Sequence, residues 1–419
     1  MPSTATSVEK SINIRIDHQC PQCGAPAVLE ETDRLFTCEY CRVKSYMFQK
    51  DYFRYVLPNA APEDKTLFFF PYWRFKGMIF SCVSDGIKHR FVDVSHQALE
   101  SRCFPASVGL RSQALKLKFS TPETPGRFLK PTLPFAQVIQ TFMQSFSELL
   151  PDPVFLQSHV GETLSLIYSP FYFRNSLYDG ILNKPVARKL PDDFDVTAFP
   201  QERPGPSIRF IPTLCPQCGW DLHGERDATI LTCSSCNSAW QPGVNRFKKV
   251  DFALMPGKTG DKIYLPFWRI KADVSEIALE SYADLVKIAN LPKAVHNSWH
   301  DIEFFFWSPG FKVRPKTFLN IARSMTLFQP RENLSDEIAD TNLRPVTLPL
   351  ADAVESLKIT LASFIKPPLK LFPRLRDVRI TLKKALLVYI PFTEKYSELV
   401  HPNFRMAINK NQLALGKHL

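Results

Sequence analysis

Cys20-Pro21-Gln22-Cys23-Gly24 returns 195 residues later as Cys215-Pro216-Gln217-Cys218-Gly219, and this repeat decides how the chain is read. Cys38 and Cys41 return at the same offset as Cys233 and Cys236, so each copy carries C-x2-C-x14-C-x2-C. Four thiolates on two short loops make a soft tetrahedral donor set, and a C-x2-C knuckle lets two sulfurs approach one ion with backbone N–H groups behind them. Glycine after the first pair, Gly24 and Gly219, suits the turn that closes the knuckle. The expected metal ligands are Cys20, Cys23, Cys38 and Cys41 in one site and Cys215, Cys218, Cys233 and Cys236 in the other. The expected cofactors are two Zn2+ ions, which hold small ribbons together: a site closed by four cysteines leaves no position for substrate or activated water. Iron in a rubredoxin-like site is the competitor, and the second knuckles, ending Cys41-Arg42 and Cys236-Asn237, lack the glycine expected there.

Outward from the cysteines the repeat continues. Pro71-Tyr72-Trp73-Arg74-Phe75-Lys76 returns as Pro266-Phe267-Trp268-Arg269-Ile270-Lys271 at the same offset. Later matches drift as loops change length. Ser107-Val108-Gly109 pairs with Ser308-Pro309-Gly310, Thr132–Ala136 with Thr347–Ala351, and Tyr168-Ser169-Pro170-Phe171 with Tyr389-Ile390-Pro391-Phe392. The preserved order predicts an internal duplication, with each unit large enough to hold its own core. The fold class expected is α+β: two copies of a four-cysteine ribbon, each followed by a β-rich domain with one main amphipathic helix. The domains expected are ribbon 1 at 1–48, a β-rich domain at 49–190, a Pro-rich linker at 191–212, ribbon 2 at 213–248 and a second β-rich domain at 249–419.

The helix is the clearest element. Phe135, Val138, Ile139, Phe142, Phe146, Leu149 and Leu150 fall at helical spacing before Pro151, and Leu350, Ala353, Val354, Leu357, Leu361, Phe364 and Ile365 do so before Pro367. Segments 65–83, 113–119, 163–172, 262–274, 301–307 and 381–392 read as strands, rich in aromatic and branched residues. The composition agrees, with only 15 glycines against 35 prolines and 34 phenylalanines, which disfavours glycine-rich phosphate loops and favours short, interrupted strands. No apolar run approaches the ~18 residues of a membrane span. The N-terminal ten residues lack the apolar core of a secretory signal, so a cytoplasmic protein is expected.

The net charge of +11 permits nucleic acid or an anionic membrane surface as partner. The excess concentrates in Lys366, Lys370, Arg374, Arg376, Arg379, Lys383 and Lys384, which face Asp377 alone within that stretch. A solvated face and a partner-binding face both fit this run. The Pro71–Lys76 and Pro266–Lys271 strips alternate as strands do, so each could bury one face and show an aromatic with two cations on the other. That outer face is either plain charged surface or a platform for bases and phosphates. Cys82 and Cys103 read as small buried hydrophobes, and His18 and His223 as ordinary histidines beside the ribbons. Pro256-Gly257-Lys258-Thr259-Gly260 fails as a phosphate loop because Phe252 stands where the first glycine is needed. No H-E-x-x-H, G-x-S-x-G or G-x-G-x-x-G occurs, so no enzyme is expected.

The knuckles and their spacing resemble zinc ribbons of the transcription-factor-IIB type. A ribbon followed by a strand like Leu265–Arg269 is also similar to bacterial tandem zinc-ribbon proteins without a settled function. The resemblance covers the ribbons and the strand after each, and implies a metal and a fold rather than a reaction. Some such proteins are encoded near membrane-stress scaffolds, which would imply a protein or membrane-surface partner. The function expected is a non-enzymatic zinc-binding adaptor or scaffold joining proteins in a bacterial assembly, with no small-molecule substrate. The alternatives are nucleic-acid binding through the basic segment and association with an anionic membrane surface.

Overall fold

In the computed structural model the described residues are 14–416, apart from 187–189, 192–193, 206–207, 245, 258–261, 336, 338–341, 402 and 405. The N-terminal ten residues, Pro206 of the proline-rich stretch, and Lys258, Thr259 and Gly260 therefore lie outside them. Strand outweighs helix, 38% to 19%, which makes the chain mixed and strand-rich.

Phe68–Val83 (β1) reads FFFPYWRFKGMIFSCV, aromatic and branched nearly throughout, and every one of its 16 residues is buried. Burial on both faces follows from its central place. It turns tightly into Gly86–Gln97 (β2) along one edge, while Leu156–Phe173 (β3) lies antiparallel along the other. The helix Phe135–Ser147 (α1) crosses this sheet, setting Phe135, Ile139, Phe142, Met143 and Phe146 against Phe75, Ile79 and Val92. Pro71 sits where a missing N–H costs little, between the Phe69–Phe128 and Tyr72–Gln97 pairs on that edge.

The second sheet repeats the plan with additions. Lys262–Val274 (β4) leads to a short helix, Tyr282–Ile288 (α2), started by a capping box between Ser281 and Asp284. Phe306–Pro309 (β5) then pairs with β4 and is followed by Pro315–Phe328 (α3), with proline in its first turn. Leu350–Glu355 (α4) and Leu357–Phe364 (α5) take the place of one helix, interrupted at Ser356, whose hydroxyl donates to Ala353 O at 2.7 Å. Ile380–Lys395 (β6) closes the long antiparallel pair with β4, and Lys410–Gly416 (α6) ends the described chain.

The two halves share detailed contacts. Tyr168 pairs with Pro71 and Val56, and Tyr389 pairs with Pro266 and Leu254. Trp73 Nε1 donates to Leu133 O at 2.8 Å, and Trp268 Nε1 to Leu348 O at 3.0 Å. Ala98 N reaches Pro71 O at 2.9 Å, and Gly310 N reaches Pro266 O at the same distance. Gly310 is thus the counterpart of Ala98, not of Gly109 as the tripeptide match suggested; three matching residues were too few to fix a register.

The halves stack. Met78, Phe80, Cys82 and Val160 of the first sheet share one apolar cluster with Phe318, Ala353, Leu357 and Leu361 of the second half's helices. The order of layers is α1, first sheet, α3–α5, second sheet. Leu357, Ile359, Leu361 and Phe364 are buried from both sides, whereas α1, at the outer end of the stack, buries Val138 fully and leaves its other apolar residues half-exposed.

The ribbons are woven into this stack. Arg15–Gln19 and Pro26–Glu30 form a hairpin that extends the first sheet through Leu117–Phe119. Two described segments between the ribbons also take part: Gln201–Glu202 pairs with Arg127–Leu129, and Arg209–Pro212 adds a strand to Lys44–Phe48 of the first ribbon. Leu35 and Tyr46 pack with Leu222, Leu231 and Trp240, so the two ribbons share a small core.

Candidate metal centres

Each first knuckle is shaped by backbone hydrogen bonds. Gly24 N donates to Cys20 O and Gly219 N to Cys215 O, both at 2.9 Å, with the glycines at φ +74° and +80°. L-residues rarely hold that conformation, which is why glycine follows the second cysteine. At the second knuckles Arg42 and Asn237 occupy the same left-handed region, at φ 58° and 47°. The missing glycines therefore change the residue and not the turn, and the sequence argument they offered against iron loses its force.

The four sulfurs of each set lie within 4.8 Å of one another. Cys20–Cys41 and Cys23–Cys38 are 3.7 Å apart, Cys215–Cys236 3.6 Å and Cys218–Cys233 3.5 Å. Sulfurs at ~2.3 Å from a central tetrahedral ion stand about 3.8 Å from each other, and those of a disulfide about 2.05 Å. The donor sets fit an ion and not a bridge, so two four-cysteine groups could hold two metal ions. The protonation pattern points the same way. The Cys41 amide lowers the Cys38 thiol to about 6; Cys41, despite help from the Val43 amide, is pushed up to about 12 by burial and three neighbouring sulfurs. In the second set, burial opposes ionisation of Cys215, but the amides of Cys218 and Gln217 bring it to about 6. The Trp220 amide favours the Cys218 thiolate, yet burial and its neighbours push it up to about 12. Four crowded sulfurs resist joint ionisation, and a divalent cation removes that conflict.

The second site has a support that the sequence reading missed. Ser238 Oγ lies 3.0 Å from Cys236 Sγ and accepts from Trp240 Nε1 at 2.7 Å, which leaves its O–H to point at the sulfur. The offset of 195 puts Val43 in its place in the first ribbon, and a serine–valine difference between the two ribbons was the available signal.

The other singled-out residues fall as follows. His18 stacks on Phe210 at 5.0 Å with Phe36 and Phe119 edge-on, and burial lowers its pKa. It is a packing residue. His223 is exposed, its backbone bridged to Thr232. Cys82 is buried and its thiol pushed up to about 12 by desolvation. The first aromatic–cationic strip does not reach solvent: Tyr72, Arg74 and Lys76 are all buried. Arg74 grips Asp93 through Nε and Nη2, at 2.7 Å each, and donates to Glu31, which Lys76 approaches at 3.5 Å. Both readings of this strip, as plain charged surface and as a base-stacking platform, are corrected accordingly, since its outer face is buried and two carboxylates cover its cations. Burial alone would raise the Glu31 pKa, but Arg74 and Lys76 hold it at about 2.

Lys366, Lys370, Arg374, Arg376, Arg379, Lys383 and Lys384 are all exposed, along the turn after α5 and the start of β6. Arg374 donates to Glu276 O at 2.8 Å and Arg376 to Val154 O at 3.3 Å, while Lys383 pairs with Asp273 at 2.6 Å. Among the described residues, no helix is long and apolar enough to cross a membrane. No protein-family model matches the chain, and neither a curated protein nor a solved structure is similar to it.

Proposed function

We propose that the protein is a non-enzymatic adaptor: a duplicated ribbon-plus-β unit in which two Zn2+ ions fix the ribbons and the β-domains present surfaces to a protein partner. The observation that carries this reading is the pair of donor sets, each filled by four sulfurs and so without a coordination position for a substrate. Duplication is supported by the matched registers around Pro71 and Pro266 and by the two tryptophan-to-carbonyl bonds. Zinc is preferred over iron on the resemblance of the knuckles to zinc ribbons. Affinity capture from the native host, with and without nuclease treatment, tests the adaptor role: a stable protein partner retained after nuclease supports it, and capture that depends on nucleic acid contradicts it. Nucleic-acid binding is the second reading, favoured by the seven exposed cations after α5. It requires affinity to fall steeply as salt rises, which an apolar protein interface does not.

A further inference from the structure

The repeated Arg-x-Lys of the two long strands meets opposite surroundings. In the first half Asp93 stands opposite Lys76 across β1 and β2, Glu31 arrives from the ribbon, and together they occupy both cations. The second half keeps the cations as Arg269 and Lys271 and lacks both acids. The residue 195 positions after Glu31 is Arg226, whose guanidinium turns away to Asp33 at 2.6 Å. The position opposite Lys271, one step beyond the Ile270–Phe306 pair, is Phe305. Its ring lies 4.8 Å from the Arg269 guanidinium carbon and 5.8 Å from Lys271 Nζ. A third cation is added as well: β6 sets Lys384 directly opposite Lys271, where β3 sets Thr163 opposite Lys76.

This arrangement is incomplete by itself. Like charges directly opposed across an antiparallel pair repel. Arg269 Nε is shut off from solvent and has no hydrogen-bond partner among the described residues. The carboxylate that reaches Lys271 is Glu303, at 3.5 Å and 67% exposed, and Lys271 also donates to Glu280 O at 3.2 Å. We infer that Arg269, Lys271 and Lys384, over the ring of Phe305, form a binding site for a side-chain carboxylate of an acidic protein segment. Such a group supplies the counter-charge that Glu31 and Asp93 supply internally in the first half. The Nη donors of the guanidinium and the two lysine ammonium groups offer a carboxylate charge-assisted hydrogen bonds, and the ring supplies an apolar floor for the methylenes of a glutamate. The inference rests on the adaptor reading and gives its partner a chemistry.

The test is a titration of labelled oligoglutamate, beside labelled oligothymidylate, into the full-length metal-loaded protein, read by fluorescence anisotropy. Oligoglutamate should bind the wild type. Lys384→Thr, which installs the first half's residue at an exposed position, should weaken it by about tenfold. Phe305→Asp should do the same by supplying an internal carboxylate, and Glu303→Gln should tighten binding by removing a competitor. Metal content and melting temperature report folding; if Phe305→Asp unfolds, the other two variants decide. Absence of binding, equal binding by wild type and Lys384→Thr, or tighter binding of oligothymidylate would overturn the inference. A native partner that co-purifies equally with wild type and Lys384→Thr removes this site while leaving the adaptor role standing; if no protein partner is captured at all, the adaptor role falls and the titration still decides the site.

Discussion

Ser238 gives the second ribbon a hydroxyl where the first has Val43, and so makes two otherwise similar sulfur sets chemically unequal. An O–H donated to a thiolate lowers its charge density and slows its attack by protons and chelators. Ser238→Ala should therefore speed chelator extraction from the second site and leave the first unchanged, as read by two-phase release of metal. The buried ions of the first half offer a second test at this scale. Glu31 is 4% exposed between Arg74 and Lys76, so Glu31→Gln strips a buried cation pair of its counter-charge and should cost about 3–5 kcal/mol of stability. The sign of its pH dependence follows from its pKa, held near 2 in the fold against an ordinary 4.5. The unfolded chain takes up the proton first, so this stabilisation is full above the ordinary value and is lost as pH falls from there towards 2. Acid melts of wild type and Glu31→Gln should converge over that window. A constant gap between them would contradict the assignment.

At the scale of elements, the two amphipathic helices read alike in sequence and differ in the fold. α5 lies between two sheets, and α1 leans on one. Leu361→Ala removes a side chain with no exposure and should cost about 2–5 kcal/mol, whereas Phe142→Ala, at a partly exposed position packed against one sheet, should cost less despite the larger truncation. Chemical denaturation of the two variants checks the order. The contrast also marks what was legible. The cysteine sets, the long strands Phe68–Val83 and Lys262–Val274, and the start of α1 could be read because each depends on local spacing. β2 escaped because Lys88, His89 and Arg90 break its apolar alternation at an exposed edge. The helical turn at Arg111–Ala114 and α3 fell in stretches read as strand or loop. The coverage of Arg74 was invisible locally, since its two acids come from a ribbon and from the neighbouring strand.

For the whole molecule, the ribbons, the segments Gln201–Glu202 and Arg209–Pro212 and the two sheets are held by shared strands and cores, so charge on the outside can change without disturbing them. Reversing Arg374, Arg376 and Arg379 to Glu should leave metal content and melting temperature within the small range expected of exposed charges. It should weaken capture of the native partner if the basic run is a docking face; undiminished capture would reduce that run to solvated surface. The central claim is that two closed sulfur sites hold structural zinc, and elemental analysis of the purified full-length chain tests it most directly. The account predicts one zinc for each four-cysteine set, with one set emptied and the other kept when Cys215 and Cys218 are changed to serine. A red iron-loaded protein, or zinc well below one per set, would contradict it.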